Sequence, residues 1–283
     1  MQNLPEPPTV PDTAEDDRSP VRLDAALAAR GLARSRTHAA QLVADGLVTV
    51  DGRTIVKAAH RVRPDAKLTV AATDHYVSRA AHKLLAALDA FPVSVEDALV
   101  LDAGASTGGF TQVLLERGAR RVVALDVGHD QLVPQLREDE RVQVVEGCNV
   151  RFLTPEQFRE LTGDDERPSV VVGDLSFISL TQVLPALVSV AAVPAELVLL
   201  VKPQFEVGRG GVREGVVTDA ALRADAVAGV LWAAWDLGLG TAGLIPSPIV
   251  GTHGNREYVV WISAEHGRNP TEWMQQITSM AGA

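Results

Sequence analysis

Short apolar runs, each closed by glycine, proline or an acid, recur through the last two thirds of the chain. They predict strands at 98–102, 121–126, 142–146, 169–174 and 196–202, with helices between them and a last strand at 258–262. Such alternation predicts an α/β architecture around a doubly wound, largely parallel sheet. A helix over the stretch from Ser78 leads into it, with Leu84, Leu85 and Leu88 facing inward.

The stretch before the sheet has shorter elements. Leu23, Leu27 and Ala28 have helical spacing behind Asp24, and Gly31 suits the helix end. Ser35 suits the N-cap of a second helix, which has Ala39, Leu42 and Val43 on its apolar face and stops at Gly46. Residues 47–50 and 54–56 flank Asp51-Gly52, which predicts a hairpin with a type I′ turn. The expected organisation is a disordered leader (1–20), a small α+β domain (21–71), a short linker (72–77), the α/β domain (78–265) and a C-terminal tail (266–283).

The run ending at Leu101 continues as Asp102-Ala-Gly104-Ala-Ser106-Thr-Gly108-Gly109-Phe110, before a helical pattern at 111–117. Strand, glycine turn and helix N-terminus form a loop that can approach a ligand closely and offer it free N–H groups. It could take a dinucleotide or another adenosine compound, but G-x-G-x-x-G is absent, and Asp102 would meet a pyrophosphate as like charge. Asp126 closes the next strand pattern, where ribose hydroxyls arrive in a doubly wound sheet. Together these residues resemble the S-adenosylmethionine site of a Rossmann-like methyltransferase. That resemblance makes Asp102, Gly104, Ser106, Gly108, Gly109, Phe110, Asp126, Val127, Asn149 and Asp174 the expected donor-binding residues.

Composition narrows the picture. The 283 residues are 46% hydrophobic but only 4% aromatic, so the core is built from aliphatic side chains. The single Cys148 allows neither an internal disulfide nor a CxxC metal site, and no metal is expected. The longest apolar segment, 183–201, is broken by Pro185, Ser189, Pro194 and Glu196, and no secretion signal stands at the N-terminus. A soluble, cytoplasmic protein without a membrane partner is expected. A net charge of −10 argues against a nucleic-acid partner until its distribution is read. Residues 22–74 carry nine bases against five acids, a basic region in an acidic protein.

That region reads Arg-Leu-Asp, then Arg-Gly-Leu-Ala-Arg-Ser-Arg, then Gly-Leu-Val-Thr-Val-Asp-Gly, then Lys57, and it resembles the S-four RNA-binding domain. The resemblance implies that Arg22, Arg34, Arg36, Arg53 and Lys57 face RNA, through phosphates and shape. Further motifs follow in order: Ser-Arg-x-x-x-Lys-Leu, the glycine loop, Asp-Leu-Ser-Phe-Ile-Ser, Val-Lys-Pro-Gln-Phe-Glu and Gly-Asn-x-Glu-Tyr. Over residues 21–263 the chain resembles the TlyA family, ribosomal RNA 2′-O-methyltransferases also named as haemolysins, with an S-four domain before an FtsJ-like catalytic domain. Ala80 and Ala81 stand where the family often has glycines, and Cys148 where it commonly has threonine.

The resemblance implies an S-adenosylmethionine-dependent methylation of cytidine ribose in the RNA of one or both ribosomal subunits, with a catalytic tetrad of Lys83, Asp174, Lys202 and Glu257. Methyl transfer to a 2′-OH needs the oxygen in line with the sulfonium methyl and its proton drawn off, the role expected of Lys202. That role needs a neutral amine, which burial and the Lys83 cation favour and the two acids oppose. Lys83 and Glu257 orient the ribose, and Asp174 also lies near the donor's methionine end. The sulfonium is already activated, so the reaction needs no metal. A non-catalytic RNA-binding assembly factor is the alternative; a haemolysin is disfavoured by the lack of a membrane-seeking segment.

Overall fold

The structure is a computed structural model that describes residues 20–33, 35–44, 46–70, 75–251 and 254–282, without the side chains of Gln41 and Arg209. The expected leader, Pro20 apart, the start of the linker and Arg34 lie outside the described residues. The chain divides between residues 72 and 73 into two units.

The first unit runs β1 (Val21–Arg22), α1 (Leu23–Ala29), α2 (Arg36–Ala44), β2 (Val48–Val50), β3 (Arg53–Thr54), β4 (Arg61–Val62) and β5 (Leu68–Val70). β1 pairs antiparallel with β4, and β2 lies between β3 and β5. Asp51 and Gly52 both have left-handed φ, +49° and +79°, as a type I′ turn requires. Leu23, Leu27, Ala39, Val43 and Val48 are fully enclosed, so the apolar faces of the two helices meet over β2. The Ser35 hydroxyl accepts the His38 N–H at 3.1 Å, the capping contact expected of it.

The second unit runs α3 (Ala81–Ala90), β6 (Leu99–Ala103), α4 (Gly109–Glu116), β7 (Arg121–Leu125), α5 (Pro134–Arg137), β8 (Val142–Val145), α6 (Pro155–Thr162), β9 (Val170–Gly173), α7 (Leu180–Val190), β10 (Glu196–Val201), α8 (Pro203–Glu206), α9 (Ala220–Asp236), β11 (Gly240–Pro246), β12 (Tyr258–Ser263) and α10 (Met274–Ala281). The sheet order is β11-β12-β10-β9-β6-β7-β8. β6 to β10 are mutually parallel, and β12 runs antiparallel to both its neighbours. The strand order reverses between β6 and β9, so the crevice at their C-terminal ends is where such a sheet binds ligands.

Alternation along the strands sorts the core into two layers. Leu99, Leu101, Leu197, Leu199, Tyr258 and Val260 pack on one face, and Val100, Val172, Val198, Leu200, Val259 and Trp261 on the other, beside α3 and α4. Of residues 266–283, expected as a tail, the described part to 282 folds back instead: Trp273, Ile277 and Ala281 are buried, and α10 packs on α9. No helix among the described residues is long and apolar enough to cross a membrane.

Candidate active site

Continuing the alternation past the strand ends places three of the expected catalytic residues. Asp174 follows β9, Lys202 follows β10 and Glu257 precedes β12, each two residues from a member of the layer beside α3. α3 brings Lys83 to the same face. The result is one connected chain of charges. Lys83 Nζ donates to Glu257 Oε2 at 2.7 Å and to Asp174 Oδ2 at 3.1 Å. Lys202 Nζ stands 2.6 Å from Asp174 Oδ1 and donates to the Ser176 hydroxyl at 2.8 Å.

Lys83, Lys202 and Glu257 are all buried, which is rare for charged groups unless they are paired. Burial opposes the charge of Asp174, but Lys202 and then Lys83 outweigh it and hold its carboxyl below the usual carboxylate range. Gly251 packs directly on Glu257, since a Cβ there would fall 2.0 Å from Glu257 Oε1. Asn255 is buried too: its Nδ2 donates to the Gly215 carbonyl at 2.7 Å and its Oδ1 accepts the Val217 N–H at 3.1 Å. The motif that supplies Glu257 thus also anchors the end of the glycine-rich stretch at 208–215.

A cavity of about 580 Å³ opens at the strand ends, with Gly104, Ser106, Asp126, Val127, Asn149 and Asp174 in its wall. Asp126 organises it: Oδ2 accepts the Ser106 N–H at 2.8 Å and Oδ1 the Gly128 N–H at 2.7 Å. Asn149 accepts the Arg151 N–H and caps the turn that follows it. Leu125, Val150, Leu175 and Ile178 supply apolar wall, and Cys148, whose thiol is pushed up by burial, lies among them. A smaller recess of about 170 Å³ shares Gly104, Ser106, Asp174 and Ser176 with the first and adds Gly109, Phe110 and Lys202. Of the four, Asp174 and Lys202 line this recess and Lys83 and Glu257 do not; Glu257 lines a separate cavity of about 240 Å³ beside Pro246 and Met280.

Two expected donor-binding residues line neither cavity. β6 runs one residue past Asp102, so the carboxylate points between the sheet and α4 rather than out of the strand end. There it is fully buried and accepts the Thr111 hydroxyl at 2.7 Å, and burial first, with Asp174 and Asp126 adding, pushes its pKa up to about 7. Gly108 is needed for packing: its φ is +101°, and a Cβ would come within 2.3 Å of Leu136. Gln131 and Ser176 were missing from the expected set. Gln131 accepts the Ser106 hydroxyl at 3.2 Å and belongs to no motif, whereas Ser176 lies within Asp-Leu-Ser-Phe.

The Asp102 carboxyl sets a testable pH dependence. Between about 4, its value in an unfolded chain, and about 7, the folded protein binds the extra proton, so this group's stabilisation falls as pH rises through that window. Asp102→Asn, which does not titrate, is expected to remove that loss, so its stability relative to the wild type rises by roughly 4 kcal/mol between pH 4 and pH 8. Thermal denaturation of both proteins across this range measures the difference.

In the first unit Arg22 and Arg36 both turn to a buried acid. Asp24 accepts a two-pronged contact from Arg22, at 3.0 and 2.9 Å, and lies 3.4 Å from Arg36 Nη2. The Arg22 fork holds its pKa down to about 2 against the effect of burial. Arg53 and Lys57 are exposed and form no ion pair among the described residues.

Residues 76–264 match the family model for FtsJ-like methyltransferase, and residues 21–68 that for the S4 domain. A protein of Mycobacterium tuberculosis named 16S/23S rRNA (cytidine-2′-O)-methyltransferase TlyA is 51% identical over 250 residues, 87% of this chain and 91% of its own. Hemolysin A of Brachyspira hyodysenteriae is 40% identical over 240 residues, 84% of this chain and 98% of that one. A solved structure from Streptococcus thermophilus, described provisionally as a hemolysin, superposes with a TM-score of 0.72 at 37% identity, covering 94% of this chain and 96% of its own.

Proposed function

Since the chain belongs to the TlyA family, FtsJ-like methyltransferases that carry an S4 domain, we propose that it transfers the methyl group of S-adenosylmethionine to the 2′ oxygen of a cytidine in ribosomal RNA. The observation that carries this reading is the buried chain Glu257–Lys83–Asp174–Lys202, ending on an amine beside a nucleoside-sized cavity.

The residues present fit the donor. A carboxylate, a glycine turn and apolar side chains suit ribose hydroxyls, a close backbone approach and a purine in turn. Asp126 would hold the ribose, Leu125, Val150 and Ile178 would flank the base, and Gly104 and Asp174 would adjoin the methionine end. Bound there, the donor supplies a methyl group on a positively charged sulfur that leaves as a neutral thioether.

The 2′-OH loses its proton as its oxygen gains the methyl group, and Lys202 is the amine in the recess that takes it. Asp174 holds that amine, while Lys83 holds Asp174 in place and is itself fixed by Glu257. Phe177, 92% exposed at the cavity wall with a φ of +64°, offers an aromatic face to a base next to the reacting ribose. The small unit adds exposed cations, and Arg53 and Lys57 suit phosphate contacts.

The test is incubation of the purified protein with methyl-labelled donor and each ribosomal subunit from cells lacking the protein. Label in an alkali-resistant linkage at a cytidine ribose is expected, and the labelled subunit identifies the target RNA. Label on a base would overturn the oxygen assignment. Donor binding with neither subunit labelled would favour a non-catalytic RNA-binding role.

A further inference from the structure

Lys202 Nζ has two protein partners, Asp174 Oδ1 at 2.6 Å and the Ser176 hydroxyl at 2.8 Å. The nitrogen has three positions besides its bond to Cε. A neutral amine fills two with N–H groups and the third with its lone pair. The Asp174 carboxylate can only accept. If the Ser176 oxygen also accepts, both N–H groups are committed and the lone pair is confined to the remaining direction. Without Ser176 the amine keeps one partner and turns about its Cε–Nζ bond.

The surroundings support this assignment. Ser176 lines both the larger cavity and the recess that contains Lys202, so it stands where the two open spaces meet. Its loop is also tied to the segment carrying Lys202. Glu206, four residues beyond Lys202, accepts the Ser179 hydroxyl at 2.5 Å and the Leu180 N–H at 2.8 Å. The hydroxyl and the amine are thereby held on one clamped pair of strand-end segments.

We propose that Ser176 is a positioning residue for methyl transfer: its hydroxyl oxygen accepts an N–H of Lys202 and so aims the amine's lone pair at the ribose 2′-OH. This rests on the methyltransferase reading above, and it adds a residue outside the charged tetrad.

The test compares wild type, Ser176→Ala and Ser176→Thr in single-turnover methylation at saturating donor and ribosomal subunits, with donor and RNA affinities measured separately. Ser176 is exposed, so both variants are expected to keep the wild-type melting temperature. Ser176→Ala is expected to lower the saturated rate about 10- to 100-fold with both affinities unchanged, as misaligned reacting groups do. Ser176→Thr, which keeps the hydroxyl, is expected to recover most of that rate.

An alanine variant as fast as wild type would overturn the inference. A faster one would show that the hydroxyl donates to the lone pair and blocks it, which overturns it as well. Equal losses in both variants, or a loss of affinity at an unchanged saturated rate, would also overturn it. Failure of the wild type to label either subunit is a separate result that removes the reaction itself.

Discussion

Lys202→Ala is expected to slow single-turnover methylation about a thousandfold or more at saturating donor and RNA, because it removes the group proposed to take the ribose proton. It also leaves Asp174 buried with one cation in place of two, and breaking a buried pair destabilises by ~3–5 kcal/mol. Lys202→Arg separates the two effects. A guanidinium keeps a cation beside Asp174 but does not give up its proton near neutral pH, so it cannot act as the base. Both variants are expected to be inactive, with the arginine protein melting closer to wild type. An active arginine variant would leave Lys202 an electrostatic role only, and calorimetric donor titration checks that the site survives.

Asp126→Ala is expected to weaken donor binding by about 10- to 100-fold, the effect of losing charge-assisted hydrogen bonds to a ligand. The carboxylate has two tasks, since each oxygen receives a backbone N–H and keeps a further lone pair for a ribose hydroxyl. Its removal frees the Ser106 and Gly128 amides and loosens the loop. Because Asp126 is not among the groups around Lys202, the rate at saturating donor is expected to stay within a few-fold of wild type. Titration of the donor, followed by single-turnover rates at several donor concentrations, distinguishes the two effects; a collapse of the saturated rate at full occupancy would place Asp126 in the chemical step.

The contrast between Asp126 and Asp102 shows what could be read from the residues and what could not. Both close an apolar run, and both look like strand-end acids. β7 stops at Leu125 and leaves Asp126 in the cavity wall, whereas β6 continues to Ala103 and draws Asp102 into the layer under α4. One residue of strand length decides between a carboxylate in the cavity wall and a buried one, and hydrophobic patterning does not resolve strand ends that finely. The parallel strands were legible because both faces are covered and their sequences are nearly all apolar. β11 was not: Gly-Thr-Ala-Gly-Leu-Ile-Pro has two glycines and a proline in seven residues, and no strand is expected there. Gly243 is required there because Phe91 stands where its Cβ would be, within 2.5 Å, a contact between segments remote in sequence. α10 was hidden for a related reason, since its sparse apolar positions gain meaning only from α9 and the sheet beneath.

The tetrad itself was legible only as a set of motifs. Its members lie far apart along the chain, and the alternation of β9, β10 and β12 brings three of them to one face while α3 brings the fourth. Burial, which makes each lysine unusual, becomes visible only once the sheet is assembled.

The pairing within that tetrad has a consequence for how RNA is held. Each lysine of the tetrad already faces a carboxylate, so the reacting centre offers no unpaired cation to a polyanion and displaces few of the ions condensed around it. The salt dependence of RNA affinity should therefore count cations elsewhere on the protein, in the manner of any phosphate-binding surface. Grip and chemistry respond to different variables: added salt loosens the RNA while leaving the closely spaced buried charges to one another.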